Sequence, residues 1–284
     1  MPEGPEVRRE ADLIARALVG APLTRVEYRM PALARAGRRL AGARVDRVYV
    51  RGKALLIAFD TGVTHYSHNQ LYGQWRVLRA GAAFDDGRAV RVVLATAARI
   101  AVLYSATDVA LLSPAALVRH PYLARLGPDA LARETTMRTI AERVADPRFA
   151  RSSLAALLLS QAFVAGLGNY LRSEILFAAR LAPELRAGEL SPAQRASLAK
   201  AIFALPRLSY RTGGVTNDPA LARAEAAAGV AFADFRFLVY GRAGQPCRAC
   251  GTAIVRRDAA GCGLFACPSC QRPGGAEGRR ARAR

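Results

Sequence analysis

The chain opens Met1-Pro2-Glu3-Gly4-Pro5-Glu6. Removal of Met1 leaves Pro2 with a secondary amine, and an α-amino group titrating near ~7.7–8.0 is partly unprotonated at neutral pH. Attack of that amine on a sugar C1′ gives an iminium, the electron sink that elimination on a ribose requires. Glu3 beside it suits protonation of a leaving or ring oxygen, and Glu6 suits orienting the group. The same residues also fit a plain Pro/Gly turn before a helix, with Pro5 in the first turn and glutamates at the positive end of the helix dipole.

A second set of reactive residues lies near the other end. All five cysteines fall within residues 247–270. Cys247-x-x-Cys250 and Cys267-x-x-Cys270 are separated by 16 residues. Each CxxC can place two thiolates on one tight knuckle, and two knuckles close a tetrahedron around one structural zinc ion. Such crowding speaks for metal rather than disulfides, in a reducing compartment. Ile254–Arg257 and Leu264–Ala266 read as the arms of a β-hairpin. With Arg248, Arg256 and Arg257 that hairpin is either a basic surface for DNA or a structural ribbon for protein contact. Cys262 lies outside both pairs and reads as a free thiol, a role toward zinc remaining open.

The elements that must position these groups follow from periodicity. Pro5–Val19 reads as an amphipathic helix with Val7, Ala11, Ile14 and Leu18 on one face. Short alternating segments at 23–29, 43–50, 54–59, 64–67, 76–79, 89–95 and 99–105 read as strands, with Arg51-Gly52 a turn and Lys53 opening the next strand. These suggest a β-sandwich flanked by helices, to about residue 120. Beyond Pro121 helical patterns take over at 128–133, 137–145, 152–163, 171–180 and 192–205. The break Val164-Ala165-Gly166-Leu167-Gly168-Asn169 offers backbone N–H groups at a helix start, which suits phosphate. Asn169 is placed to cap that helix or to donate to a phosphate. Residues 213–229 read as an irregular loop with a short helix at 220–228, and Phe232–Tyr240 as a strand leading into the cysteines. The end, 272–284, carries five arginines and reads as a disordered tail.

Forty-two Lys and Arg against 22 Asp and Glu give a net charge of +20 over 284 residues. That excess implies a polyanionic partner, nucleic acid before membrane, although arginine-rich composition alone could explain part of it. An apolar run of ~18 residues, the length of a membrane span, is absent, and no signal peptide is read, so the chain is expected to be soluble and intracellular.

The runs MPEGPEVRREAD, RGKALL, YSHNQLYGQWRV, HPYLARLGPD and QAFVAGLGNYLRSEIL, followed by the four-cysteine finger, occur in an order and spacing that resemble the formamidopyrimidine-DNA glycosylase/endonuclease VIII family, and its endonuclease VIII branch most closely. The resemblance spans residues 1 to about 271. It implies an α+β multidomain chain: an N-terminal β-sandwich catalytic domain (1–122), a helical DNA-binding domain with a helix–two-turn–helix (123–231), a zinc-finger β-hairpin (232–271) and the tail. It further implies a bifunctional DNA glycosylase/AP lyase of base excision repair that removes oxidised pyrimidines from double-stranded DNA. Pro2 is then the Schiff-base nucleophile and Glu3 the general acid. Lys53 is the acid/base and phosphate partner. Arg125 and Asn169 grip the phosphates, and Gln70-Leu71-Tyr72 is the wedge that fills the gap left by the extruded base. A monomer in the bacterial cytoplasm, at the nucleoid, with zinc as its one cofactor, is expected.

Three departures from the family pattern stand out. Cys262 occupies the place of a finger arginine, and a thiol cannot replace a bidentate guanidinium. Ser160 stands where an acidic residue is usual. The 213–229 loop looks longer than in endonuclease VIII, with Thr212-Gly213-Gly214 in place of a Thr-Arg-Gly. Two other readings therefore stay open: the same scaffold specialised for abasic sites or crosslinks with β-elimination only, or a non-catalytic zinc protein that binds damaged DNA.

Overall fold

In a computed structural model, which describes residues 2–272, the chain divides into two compact units, one ending at Arg125 and the other starting at Leu126. Met1 and all but Arg272 of the tail expected to be disordered, 272–284, lie outside the described residues.

The first unit begins with helix α1 (Gly4–Leu18), whose residues Val7, Ala11, Ile14 and Leu18 are buried as their spacing requires. Then follow β1 (Arg25–Tyr28), α2 (Pro31–Arg38), β2 (Val45–Arg51), β3 (Ala54–Phe59), β4 (Thr64–His68), β5 (Gln74–Arg79), β6 (Val90–Ala95), β7 (Arg99–Tyr104), β8 (Asp108–Leu112) and α3 (Pro114–Arg119). The strands form two antiparallel sheets, β1-β6-β7-β5 and β2-β3-β4-β8. Val45, Leu55, Ile57 and Phe59 from one sheet meet Trp75, Val92, Leu94 and Leu103 from the other, and the apolar face of α1 joins the same core. The sandwich expected from the alternating segments is therefore present. Two elements were not foreseen. Helix α2 is an eight-residue Ala/Arg run in which only Gly37 is buried, and that glycine is required because a Cβ there would strike the Tyr28 ring. Strand β8 is half-buried at every position, so it shows no alternation.

The second unit holds α4 (Met137–Ala145), α5 (Leu154–Leu157), α6 (Asn169–Ala178), α7 (Pro192–Thr212), α8 (Pro219–Ala227), α9 (Phe232–Phe235) and the hairpin β9 (Val255–Ala259) with β10 (Cys262–Ala266). Its core joins Ile140, Leu154, Phe163, Leu171, Ile175 and Ile202 to Leu264 of the hairpin. The expected helix at 128–133 is absent. Its backbone instead pairs with the segment before α6: Gly127 N–H donates to Gln161 O, Ala165 N–H to Pro128 O, and Ala130 N–H to Ala165 O. The helix expected over 152–163 shrinks to α5, because beyond Leu158 the chain turns and the Gln161 amide satisfies the backbone of Leu159, Gly166 and Leu167. Helix α7 runs on past 205 to Thr212, with Pro206 inside it. The strand expected over 232–240 is instead α9 and an irregular segment. There the N–H groups of Leu238, Val239 and Tyr240 donate to the buried Glu174 carboxylate at 2.8, 2.8 and 2.9 Å, not to a neighbouring strand.

Candidate functional site

In the first unit the expected site residues sit at the head of α1, at the β2–β3 turn and in the loop between β4 and β5. Glu3 is the N-cap residue of α1 and is 2% exposed. Its backbone N–H donates to Glu6 Oε2 at 3.0 Å, so Glu6 fixes the direction in which the chain start, Pro2, leaves the helix. Lys53 follows Gly52 in the two-residue turn between β2 and β3, where Arg51 pairs with Ala54. Lys53 is 7% exposed, and its N–H donates to Tyr122 Oη at 3.0 Å. The Tyr122 ring meets His68 edge-on, with centroids 5.3 Å apart. Burial lowers the His68 pKa and the Lys53 ammonium lowers it further, against the pull of Asp108. A lysine and a glutamate this deeply buried are rare unless paired or used.

From His68 the chain passes through Asn69-Gln70-Leu71-Tyr72-Gly73 into β5. Gln70 has φ 50°. Its N–H donates to His68 Nδ1 at 3.1 Å, and its Oε1 accepts from Thr107 Oγ1 at 2.6 Å. Gly73 closes the turn by donating to Asn69 O at 2.7 Å, and a Cβ at 73 would lie 2.5 Å from that oxygen, so the turn demands glycine. The tip presents Leu71 and Tyr72, 58% and 76% exposed. Two adjacent large apolar side chains in water are costly unless they serve an insertion or a contact. Arg125 is exposed, with its Nε donating to Pro121 O at 2.8 Å.

In the second unit Asn169 occupies the first turn of α6, after the N-cap Gly168 and the left-handed Gly166, φ 94°. Its Nδ2 donates to Gly263 O at 2.8 Å, and its Oδ1 accepts from Arg172 Nη2 at 2.6 Å. Arg172, wholly buried, also donates to Ala259 O at 2.9 Å, Cys262 O at 3.2 Å and Ala155 O at 3.3 Å. The glycine turn is thereby bolted to the tip of the β9–β10 hairpin. That tip is a two-residue turn, Ala260-Gly261, with φ 51° and 75°, the left-handed pair that a tight hairpin needs. Cys262 is exposed just after it. Arg256 and Arg257 neighbour one another on β9 and so face opposite sides of the hairpin. Arg256 pairs with Asp258 at 3.3 Å and Arg257 with Glu184 at 3.0 Å. The Sγ atoms of Cys247, Cys250, Cys267 and Cys270 all lie within 4.8 Å of one another, a donor set that fits a single metal ion.

Two family models match the chain: the formamidopyrimidine-DNA glycosylase N-terminal domain over residues 1–108 and the formamidopyrimidine-DNA glycosylase H2TH domain over residues 126–218. Endonuclease 8 of Escherichia coli O17:K52:H18 is 45% identical over 271 residues, covering 95% of this chain and 100% of that protein. The chain belongs to the formamidopyrimidine-DNA glycosylase/endonuclease VIII family. As a member of that family it is a DNA glycosylase. Endonuclease 8 of Pectobacterium carotovorum is 44% identical over 272 residues, 96% of this chain and 100% of its own length. Two solved structures share the fold at 22% identity. Lactococcus lactis formamidopyrimidine-DNA glycosylase, non-covalently bound to DNA containing an AP site, has a TM-score of 0.77 and covers 95% of this chain and 99% of its own. MutM in complex with DNA containing carbocyclic 8-oxo-G has a TM-score of 0.77 and covers 95% of this chain and 100% of its own.

The family fold expected from the motifs is thus present: an N-terminal β domain, a helical H2TH domain and a C-terminal hairpin with a cysteine cluster. Among the described residues, no helix is long and apolar enough to cross a membrane. Sequence reasoning missed Glu10, Gln161, Arg172 and Glu174 in this glycosylase. A signal existed for the last two, since Arg172 and Glu174 are charges inside the otherwise apolar stretch of α6. Glu10 shows only as the residue one helical turn beyond Glu6.

Proposed function

We propose that this family member is a bifunctional DNA glycosylase/AP lyase that removes oxidised pyrimidines from duplex DNA. One observation carries the reading: at the head of the helix that starts beside Pro2, and at the β2–β3 turn, Glu3 and Lys53 are buried at 2% and 7% exposure. Deeply buried charged groups beside a chain start and in a turn are candidates for acid–base chemistry.

With Met1 removed, the Pro2 amine adds to C1′ as the N-glycosidic bond breaks and the base leaves. Glu3 protonates the ring oxygen, the sugar opens, and C1′ becomes an iminium on Pro2. The iminium acidifies C2′. Loss of that proton and cleavage of the C3′–O bond release the 3′-phosphate, with Lys53 as acid/base and phosphate partner. Glu6 holds the chain start in place through the Glu3 N–H.

Gln70, Leu71 and Tyr72 stack into the gap left by the extruded nucleotide, offsetting an extrusion cost of a few kcal/mol. Arg125 and Asn169 grip the flanking phosphates, and Arg256 and Arg257 add basic charge from the finger. In this division residues 1–122 perform the chemistry, and the helical part to 231 with the finger to 271 holds the DNA. Cys247, Cys250, Cys267 and Cys270 hold one zinc ion, which supplies structure and no chemistry. The preference for oxidised pyrimidines draws its support from the Endonuclease 8 relatives and the contiguous wedge. Damaged duplex DNA as the partner draws its support from the solved relatives bound to such DNA and from the net charge of +20. We place the enzyme as a monomer in the bacterial cytoplasm, at the nucleoid.

Borohydride trapping on an abasic duplex tests this reading. The wild type forms a covalent adduct, and Pro2→Gly lowers its yield on the order of a thousandfold or more. A wild type that traps no adduct, with Met1 shown by mass spectrometry to be removed, overturns it.

The exposed thiol of Cys262 beside the finger turn favours a narrower activity that stops at β-elimination. Cys262→Arg then raises the share of δ-product severalfold on an abasic duplex. Complete β,δ-elimination by the wild type defeats this second reading.

A further inference from the structure

Glu10 has no part in the chemistry above, yet it is the most distinctive carboxyl of the first unit. It sits on α1 one turn beyond Glu6, facing the loop that leads to the wedge. Its Oε2 accepts from Asn69 Nδ2 at 2.6 Å, and the Trp75 N–H, just past the loop, also donates to its carboxyl. Asn69 is 3% exposed, and its Oδ1 is buried with no hydrogen-bond partner. The amide of Asn69 is therefore held through Glu10.

Asn69 is also the residue on which the wedge turn closes. Its carbonyl takes the Gly73 N–H at 2.7 Å, and the space beside it admits no Cβ at 73. Fixing Asn69 fixes the base of the turn from which Leu71 and Tyr72 project. On the far side, Gln70 is held by Thr107 and His68. The helix-side anchor is Glu10, and it stands on the helix that starts beside Pro2.

We propose that Glu10 is a positioning residue that holds Asn69, sets the outward conformation of the Gln70-Leu71-Tyr72 wedge, and ties wedge insertion to the helix bearing the nucleophile. The proposal rests on the reading of that loop as the DNA-inserting wedge. Glu10 touches neither base nor sugar. Its removal slows base extrusion without altering the amine chemistry. The buried hydrogen bond to Glu10, once broken, leaves the Asn69 amide unpaired at both ends.

The test compares wild type, Glu10→Ala and Glu10→Gln as full-length enzyme. It uses a duplex with a single oxidised pyrimidine, 2-aminopurine beside it as the stacking reporter, and a single-stranded abasic oligonucleotide that requires no extrusion. For Glu10→Ala the fluorescence phase of extrusion and the single-turnover rate on the duplex fall about tenfold, the loss expected when a buried amide is left without its hydrogen-bond partner. Its borohydride-trapping rate on the single strand stays within about twofold. Glu10→Gln, which keeps an amide able to pair with Asn69, restores the duplex rate. Equal losses on duplex and single strand, failure of Glu10→Gln to restore, or an unchanged duplex rate in Glu10→Ala each overturn the inference while leaving the enzyme reading intact. A wild type that traps on neither substrate overturns both.

Discussion

Glu10 also makes the stability of the fold depend on pH. Burial pushes its carboxyl up to about 7, with the Glu6 charge adding to the effect and the donors Asn69 and Trp75 opposing it. In the unfolded chain a glutamate titrates near ~4.3. Between those values the folded protein keeps a proton that the unfolded chain has lost. The contribution is thus fully present below the unfolded pKa and is lost as pH rises through about 7. Thermal unfolding at pH 5.5 and pH 8 checks this: the wild type loses roughly 2 kcal/mol more than Glu10→Gln across that interval. A variant with the same pH slope as the wild type would remove Glu10 as the source. At this scale the sequence was readable where chemistry needs a rare residue type in a rare place. The two CxxC pairs stand out by type and spacing, whereas Pro2 and Glu3 also fit a plain turn before a helix and gain weight only beside the other motifs. Glu10 did not, because a glutamate on an arginine-rich helix looks like one more solvated charge until the loop that covers it is known.

At the scale of elements, Arg172 joins α5, the glycine turn before α6 and the hairpin tip through its bonds to Ala155, Asn169, Ala259 and Cys262. Replacing it with methionine keeps the volume and leaves those acceptors unpaired, at a cost of roughly 3 kcal/mol. We expect Arg172→Met to unfold at lower urea and to speed hydrogen exchange in Val255–Ala266, while the first unit exchanges as before. Unchanged exchange in the hairpin would show that the tip is held by other means. The same buried charges explain which elements were legible. Helices α1 and α4 follow their apolar period. The strand expected at 232–240 failed because its donors go to a carboxylate distant in sequence, Glu174, and no local pattern encodes that. The 128–133 helix failed likewise, its backbone being claimed by residues 161–165.

On the scale of the whole molecule, a charge of +20 on 284 residues dominates encounter with a polyanion. If about six phosphates are neutralised, the logarithm of the association constant for an abasic duplex falls against the logarithm of salt with a slope near −5. Titration between 50 and 200 mM salt measures it, and a slope shallower than about −2 would mean that arginine richness reflects composition and not contact. Here composition was a good guide, since net charge reports a partner's sign without any knowledge of fold.

The buried start of α1 has a practical corollary. Under the proposed mechanism, a peptide fused ahead of Pro2 turns its secondary amine into an amide, which has no free lone pair to offer a sugar. Affinity handles, fluorophores and fusion partners therefore belong at the other end of the chain. Under the proposed amine mechanism, newly made enzyme stays silent until an aminopeptidase has trimmed it, which places a maturation step between translation and repair.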